Sequence, residues 1–245
     1  METGFKDFGV AVKDLCFPPK CLVCVATLFK PRDMKFCAVC MESIQLIGEP
    51  YCNYCGRPLP NAAGDNHLCS DCLHGSMWYF TMARAVFLYD DSIAKLLHSF
   101  KYGGRTTGLA TFRAARKRIG KMEGLNSEPD LVIPVPLHIK RLRQRGFNQA
   151  LLLARVFFPE QKDRISTSLL KRCRLTRPQT ELNGKKRREN LHGAFCVETS
   201  ERLKGKKVLI VDDVYTTGTT VNECARTLRC AGAQEVQVLT LARVG

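Results

Sequence analysis

The sequence predicts an α/β protein: a parallel sheet covered on both faces in residues 80–245, behind a small cysteine-rich module in residues 1–79. Three observations predict it. From residue 83 onward, short apolar runs alternate with helix-period segments, the pattern of parallel strands joined by helical crossovers. Two of those runs, 130–136 (DLVIPVP) and 207–211 (KVLIV), are apolar without alternation, as strands buried on both faces must be. Nine of the 13 cysteines, by contrast, fall before residue 73.

Eight of those nine form four CxxC pairs: Cys21/Cys24, Cys37/Cys40, Cys52/Cys55 and Cys69/Cys72, separated by 12, 11 and 13 residues. A CxxC turn sets two thiolates on one edge of a knuckle, and a second knuckle completes a tetrahedral four-sulfur site. Sequential pairing assigns Cys21, Cys24, Cys37 and Cys40 to one zinc ion and Cys52, Cys55, Cys69 and Cys72 to another. Cross-braced pairing is the alternative. Soft thiolates suit zinc, and an iron–sulfur cluster also meets this ligand set. A closed four-sulfur site has no open position for substrate, so the zinc is structural. Gly56, directly after Cys55, suits the positive φ that such turns often need. His67 and His74 read as surface residues beside the last pair, and Cys16 as a buried apolar residue on a short entry helix. Cys173, Cys196, Cys224 and Cys230 follow no spacing. An odd total without an export signal argues against a disulfide framework.

The second part reads as follows. A strand spans 83–89, and a helix covers 91–100 with Asp90 or Asp91 as its N-cap. A basic helix covers 108–121, a buried strand 130–136 and an apolar-faced helix 148–158. A short strand covers 168–172 and a second buried strand 207–211. The helix over 220–231 ends at Gly232, and a last strand spans 236–241.

Charge divides the chain as well. Residues 1–80 are near neutral, whereas residues 81–245 hold 31 Lys/Arg against 15 Asp/Glu, so the net +15 belongs to the second part. Such a field draws polyanions, either phosphorylated small molecules or nucleic acid. No segment approaches the roughly 18 uninterrupted apolar residues of a membrane helix. The expectation is a soluble, cytoplasmic protein with no transmembrane segment.

The most informative segment is 208–220, VLIVDDVYTTGTT. Four apolar residues predict a central strand ending at Asp212-Asp213, and a small-residue loop then opens the next helix. Open parallel sheets bind ligands at the carboxyl ends of their strands. Loop 215–220 offers backbone N–H groups, threonine hydroxyls and a helix N-terminus, which together suit a phosphate. Gly218 would let the backbone approach that phosphate. The adjacent carboxylates can accept hydrogen bonds from a vicinal diol. Phosphate at one end and diol at the other describe a 5-phosphoribosyl group.

This segment resembles the fingerprint of type I phosphoribosyltransferases: four hydrophobics, two acids, three variable residues, Thr-Gly, one variable residue, Thr. The flanking motifs narrow the resemblance. Residues 101–105 (KYGGR), 133–136 (IPVP) with LHIKRLRQRGFNQA, and 174–195, from RLTRPQ to KRRENLHGAF, are similar to the ComF family of competence proteins. That family joins a double zinc ribbon to a phosphoribosyltransferase-like domain.

The resemblance implies that Asp212 and Asp213 form the catalytic pair, engaging the ribose hydroxyls directly or with Mg²⁺. It implies that Thr216, Thr217, Gly218, Thr219 and Thr220 cradle the 5-phosphate of phosphoribosyl pyrophosphate. The turn after strand 130–136 corresponds to the pyrophosphate loop, with Arg141, Arg143 and Arg145 offsetting charge; Lys101 and Arg105 are further candidates. Residues 171–190, with eight Lys/Arg, correspond to a basic cover over the site. The family role is DNA uptake in natural transformation, acting on single-stranded DNA at the cytoplasmic side of the inner membrane, with an uptake helicase or channel as partner. Phe100, Tyr102 and Phe147 are stacking candidates for bases. Two alternatives stand beside it: an active transferase of nucleotide metabolism or salvage, or a zinc-dependent adaptor. No segment identifies an acceptor, so the sequence does not decide whether the chain turns over substrate.

Overall fold

A computed structural model describes residues 17–29, 34–60, 64–74, 77–103, 108–119, 128–174 and 190–245. The entry helix with Cys16, Arg105, and residues 175–189 of the basic segment lie outside the described residues.

The elements follow the predicted alternation. Two short helices, α1 (Ala38–Ser43) and α2 (Ser70–Leu73), belong to the cysteine module. Then come β1 (Met82–Leu88), α3 (Asp91–Tyr102), α4 (Leu109–Ile119) and β2 (Leu131–Pro134). After them follow α5 (Ile139–Arg145), α6 (Gln149–Phe157), β3 (Leu170–Arg172) and β4 (Phe195–Val197). The chain closes with β5 (Lys207–Tyr215), α7 (Thr219–Cys230) and β6 (Glu235–Arg243). Asp90, not Asp91, caps α3, its carboxylate accepting from Ile93 N at 2.8 Å.

Four parallel strands form the sheet in the order β1-β6-β5-β2. Because strand side chains alternate, β5 and β6 feed two separate cores. Val208, Ile210, Val236 and Val238 face one, with Val221, Ala225 and Leu228 of α7. Leu209, Val211, Leu239 and Leu241 face the other, with α3, α4 and α6 contributing Ile93, Phe100, Phe112 and Leu153. Each buried Val, Leu, Ile or Phe among them contributes about 1.5–3 kcal/mol.

Four features depart from the sequence reading. Strand β5 does not end at the acids but runs through Asp212 and Asp213 to Tyr215. Its register with β6 continues to Tyr215↔Arg243, and that partner supplies the ladder that propensity alone did not foresee. The basic stretch IKRLRQR is helix α5, capped by His138 and closed by Gly146 at φ 75°. The short strand β3 joins no parallel sheet; it pairs antiparallel with β4. Beside that pair Cys173 and Cys196, which no spacing linked, form a disulfide with a Cα–Cα distance of 6.1 Å.

Candidate functional site

At the carboxyl ends of β5 and β2 lies a cleft of about 740 Å³. Its floor is the acid pair. Each carboxylate accepts the next residue's N–H: Asp213 N donates to Asp212 Oδ1 (2.9 Å) and Val214 N to Asp213 Oδ1 (2.8 Å). The opposite wall comes from the exit of β2 and the start of α6. There Asn148 accepts from Ala150 N at 2.9 Å, capping α6, and its Nδ2 donates to Val135 O at 3.0 Å. One asparagine therefore ties the turn after β2 to the helix that follows.

The cleft gathers charge of both signs. Lys101 Nζ lies 2.7 Å from Asp213 Oδ2. Burial works against the Lys101 charge, but Asp213, with Asp212 behind it, holds its pKa above the usual value. Asp212 keeps part of its surface open to the cleft, yet protein surrounds its carboxyl. Burial, and then the neighbouring Asp213 charge, push its pKa up to about 8, against Lys101 and Arg172. Burial, followed by the nearby Arg141, lowers the pKa of Arg172, whose guanidinium lies over the Phe195 ring at 5.5 Å.

Of the residues singled out from sequence, Lys101, Arg141, Arg145, Asp212, Asp213, Thr216 and Thr220 line the cleft. Arg143 is exposed on α5 and does not line it. Thr217 and Thr219 join hydroxyls at 2.8 Å, and Thr217 borders a neighbouring cavity of about 530 Å³. Lys101 is engaged with Asp213, where the sequence suggested an anion contact. Phe100 is fully buried in the core, which removes it as a stacking surface; Phe147, 6.0 Å from it, packs in the same core but also lines the cleft. Tyr102 is 68% exposed at the cleft edge. Gly218, at φ 71°, is glycine because a Cβ there would meet the Tyr215 hydroxyl at 2.3 Å. The close neighbour is thus a side chain of the protein itself.

Two cleft residues were not picked out individually from sequence. Arg172 was only one of eight cations in a basic stretch, and the fold alone selects it. Gln149 is 3% exposed, accepts from Arg145 Nη1 at 3.2 Å, and has a buried Nε2 without a hydrogen-bond partner. The motif RGFNQA contains it, but no spacing rule marks it out.

The cysteines group sequentially. Cys21, Cys24, Cys37 and Cys40 form one set and Cys52, Cys55, Cys69 and Cys72 the other, all sulfurs within 4.8 Å of one another in each. The Cys24–Cys37 and Cys55–Cys69 Sγ distances are 3.7 Å. A tetrahedral shell with Zn–S near 2.3 Å places sulfurs about 3.8 Å apart, so both sets fit zinc. Burial opposes ionisation of Cys21 and Cys52, yet N–H donors from their own knuckles and the facing ones bring each pKa down to about 6. Thiolates, the ligand form, are thereby favoured at these two positions, whereas burial pushes Cys40 up to about 12 and also raises Cys55 and Cys72. His67 is exposed and turned to Asp65 O, and His74 is also exposed, so neither joins a set. Among the described residues, no helix is long and apolar enough to cross a membrane.

These features define a phosphoribosyltransferase-type α/β fold carrying a double zinc ribbon. Residues 12–73 match the double zinc ribbon domain and residues 150–245 the phosphoribosyl transferase domain. Competence protein F of Haemophilus influenzae is 32% identical over 91% of this chain and 96% of its own length. The DNA utilization protein YhgH of Escherichia coli O6:H1 is 33% identical over 84% of this chain and 89% of its own. Competence protein ComFC of Bacillus subtilis is 31% identical over 88% and 87%. The chain belongs to the ComF family of competence proteins.

Proposed function

We propose that residues 212–220 bind the 5-phosphoribosyl group of phosphoribosyl pyrophosphate with Mg²⁺, and that the chain acts on single-stranded DNA during its uptake. The names of the relatives, competence proteins and DNA utilization proteins, support the uptake role. The observation that carries the ligand reading is the meeting of two unlike edges in one cleft. Asp212 and Asp213 stand beside a threonine loop that opens the 12-residue helix α7. An acid pair recognises a diol, and a helix N-terminus recognises a phosphate.

The hard oxygen donors of Asp212 and Asp213 also suit Mg²⁺, which when bound offsets diphosphate charge. Arg141, Arg145 and Arg172 line the same cleft and present guanidinium groups to that charge. Lys101 acts one step back, its ammonium paired with the Asp213 carboxylate. The exposed ring of Tyr102, next to Lys101, offers a stacking face for a base at the mouth of the cleft.

Asp212→Asn combined with Asp213→Asn tests the reading. Saturating phosphoribosyl pyrophosphate with Mg²⁺, at about 100 times Kd, should stabilise the wild type by about 2.7 kcal/mol and the double variant by nothing measurable. Single-stranded DNA affinity should change little and should fall steeply with salt in both. Equal loss of both ligands would mean one shared site, against this reading. A second reading, turnover, is supported by the match of residues 150–245 to the phosphoribosyl transferase domain. Pyrophosphate release with a panel of nitrogen bases decides it.

A further inference from the structure

We propose that the second cysteine cluster holds loop 216–220 in shape through Arg243, so that this residue and the metal beneath it position the phosphate-binding backbone. The proposal rests on the reading of that loop as a phosphate seat. It begins with Arg243, the last residue of β6, which is 2% exposed although charged. A buried guanidinium needs partners, and Arg243 finds them at its two terminal nitrogens, while its buried Nε has none. Arg243 Nη1 donates to Cys55 O at 2.6 Å, and Nη2 donates to Cys55 Sγ at 3.5 Å. The guanidinium carbon lies 4.4 Å from the centre of the Tyr215 ring. A zinc ion held by four thiolates carries net negative charge, which the arginine offsets.

Tyr215 ends β5 and directly precedes the loop. Its ring and that of Trp78 fill the space under Gly218, where a Cβ would come within 2.3 Å of the Tyr215 hydroxyl and 3.0 Å of Trp78. The segment carrying Trp78 is clipped to α7: Tyr79 N donates to Asn222 Oδ1 (2.8 Å), and Asn222 Nδ2 donates to Met77 O (3.1 Å). Trp78 in turn lies 5.2 Å from Phe80, whose ring is 5.6 Å from Tyr54 in the Cys52–Cys55 knuckle. The underside of the loop is therefore three side chains deep, and the knuckle sets the place of the deepest. Groups that orient ligands around a metal work in both directions, so the metal can order what its outer partners touch.

The test uses the full chain, without ligand first. Arg243→Met should keep about two zinc ions per chain. Its amides in residues 216–220 should exchange with solvent about tenfold faster. Affinity for phosphoribosyl pyrophosphate with Mg²⁺ should fall by about tenfold. Arg243→Lys keeps the charge but cannot span the Cys55 carbonyl, thiolate and Tyr215 ring at once, so it should show intermediate exchange; it carries the test if Arg243→Met does not fold. Cys72→Ser should speed exchange of the loop, and Cys24→Ser in the first cluster should not. Wild-type loop exchange in Arg243→Met, or equal loosening by Cys24→Ser, would overturn the proposal. If loop exchange follows Arg243 while the wild type binds no phosphoribosyl pyrophosphate, the strut stands and the ligand reading fails.

Discussion

Around Cys21, Cys24, Cys37 and Cys40 the knuckles merge with one core, which Phe36, Met41 and Ile44 share with Ile93, Leu96 and Phe112. Lys35 N also donates to Thr111 Oγ1 of α4 at 2.8 Å, tying this cluster to the helices. Around Cys52, Cys55, Cys69 and Cys72 the neighbours are different: Tyr54, Trp78, Tyr215 and Phe80, in the core on the other face of the sheet. The first cluster packs chiefly on that core, with Leu22 bordering a cavity beside Lys101 and Tyr102, whereas the second meets Arg243, which borders the cavity shared with Thr216 and Thr217. Identical ligand chemistry thus sits against the helical core in one place and under loop 216–220 in the other. What a closed metal site does is decided by what packs against its outer shell.

The largest effect that separates the two clusters should come from the metal itself. Stripping zinc with a strong chelator should unfold both ribbons, at a cost on the order of 10 kcal/mol per site. Trp78 is the single tryptophan and borders the second cluster's cavity, so its fluorescence reports that cluster alone. Circular dichroism and fluorescence should then change in separate steps; one coincident step would merge the two regions into a single unit.

Core truncations come next. Phe36→Ala and Phe80→Ala should each destabilise the chain by about 3–5 kcal/mol in denaturant unfolding. Only Phe80→Ala should shift the native Trp78 emission, because its ring lies 5.2 Å away. A shift from Phe36→Ala would tie the first cluster to the loop as well.

Smaller still is a pH effect at the cleft floor. Burial, and then the Asp213 charge, push the Asp212 pKa in the folded chain up to about 8 from the 3.8 of an unperturbed aspartate. Between those values the folded state binds more protons than the unfolded one, so stability falls as pH rises toward 8. The slope should reach about 1.4 kcal/mol per pH unit at most. Asp213, Lys101 of α3, Arg172 of β3 and Cys224 of α7 are the charged and titratable groups coupled to it. Asp212→Asn should flatten the Tm profile from pH 5 to 8; an unchanged profile would place the titration elsewhere.

The smallest effect belongs to the rim. Arg57 and Asp71 pair at 2.7 Å across the second ribbon with their side chains 34% and 61% exposed. Arg57→Gln should therefore cost under about 1 kcal/mol and less at high salt. A cost of several kcal/mol would extend the strut beyond Arg243.

Periodicity and spacing carried much of this architecture on their own. Uninterrupted apolar runs marked β2 and β5, and CxxC spacing at near-equal intervals marked the knuckles and their sequential pairing. These patterns are local, because a strand's burial and a knuckle's chelation are written in residues within about a dozen positions of one another. The acid pair and threonine loop were legible for the same reason: one strand and one helix start place them.

What the tertiary structure alone decided involves residues far apart in the chain. Arg243 finds Cys55 across 188 positions, and Tyr79 finds Asn222 across 143. Arg172 was one cation among many until the β3–β4 pair brought it to the cleft, and Gln149 one amide until α6 buried it there. Sequence determined the two cysteine sets and the acid–threonine segment that ends β5 and opens α7. Folding decided which cysteine set stands under which loop, since contact across the sheet depends on strand order and register, and neither has a local signature.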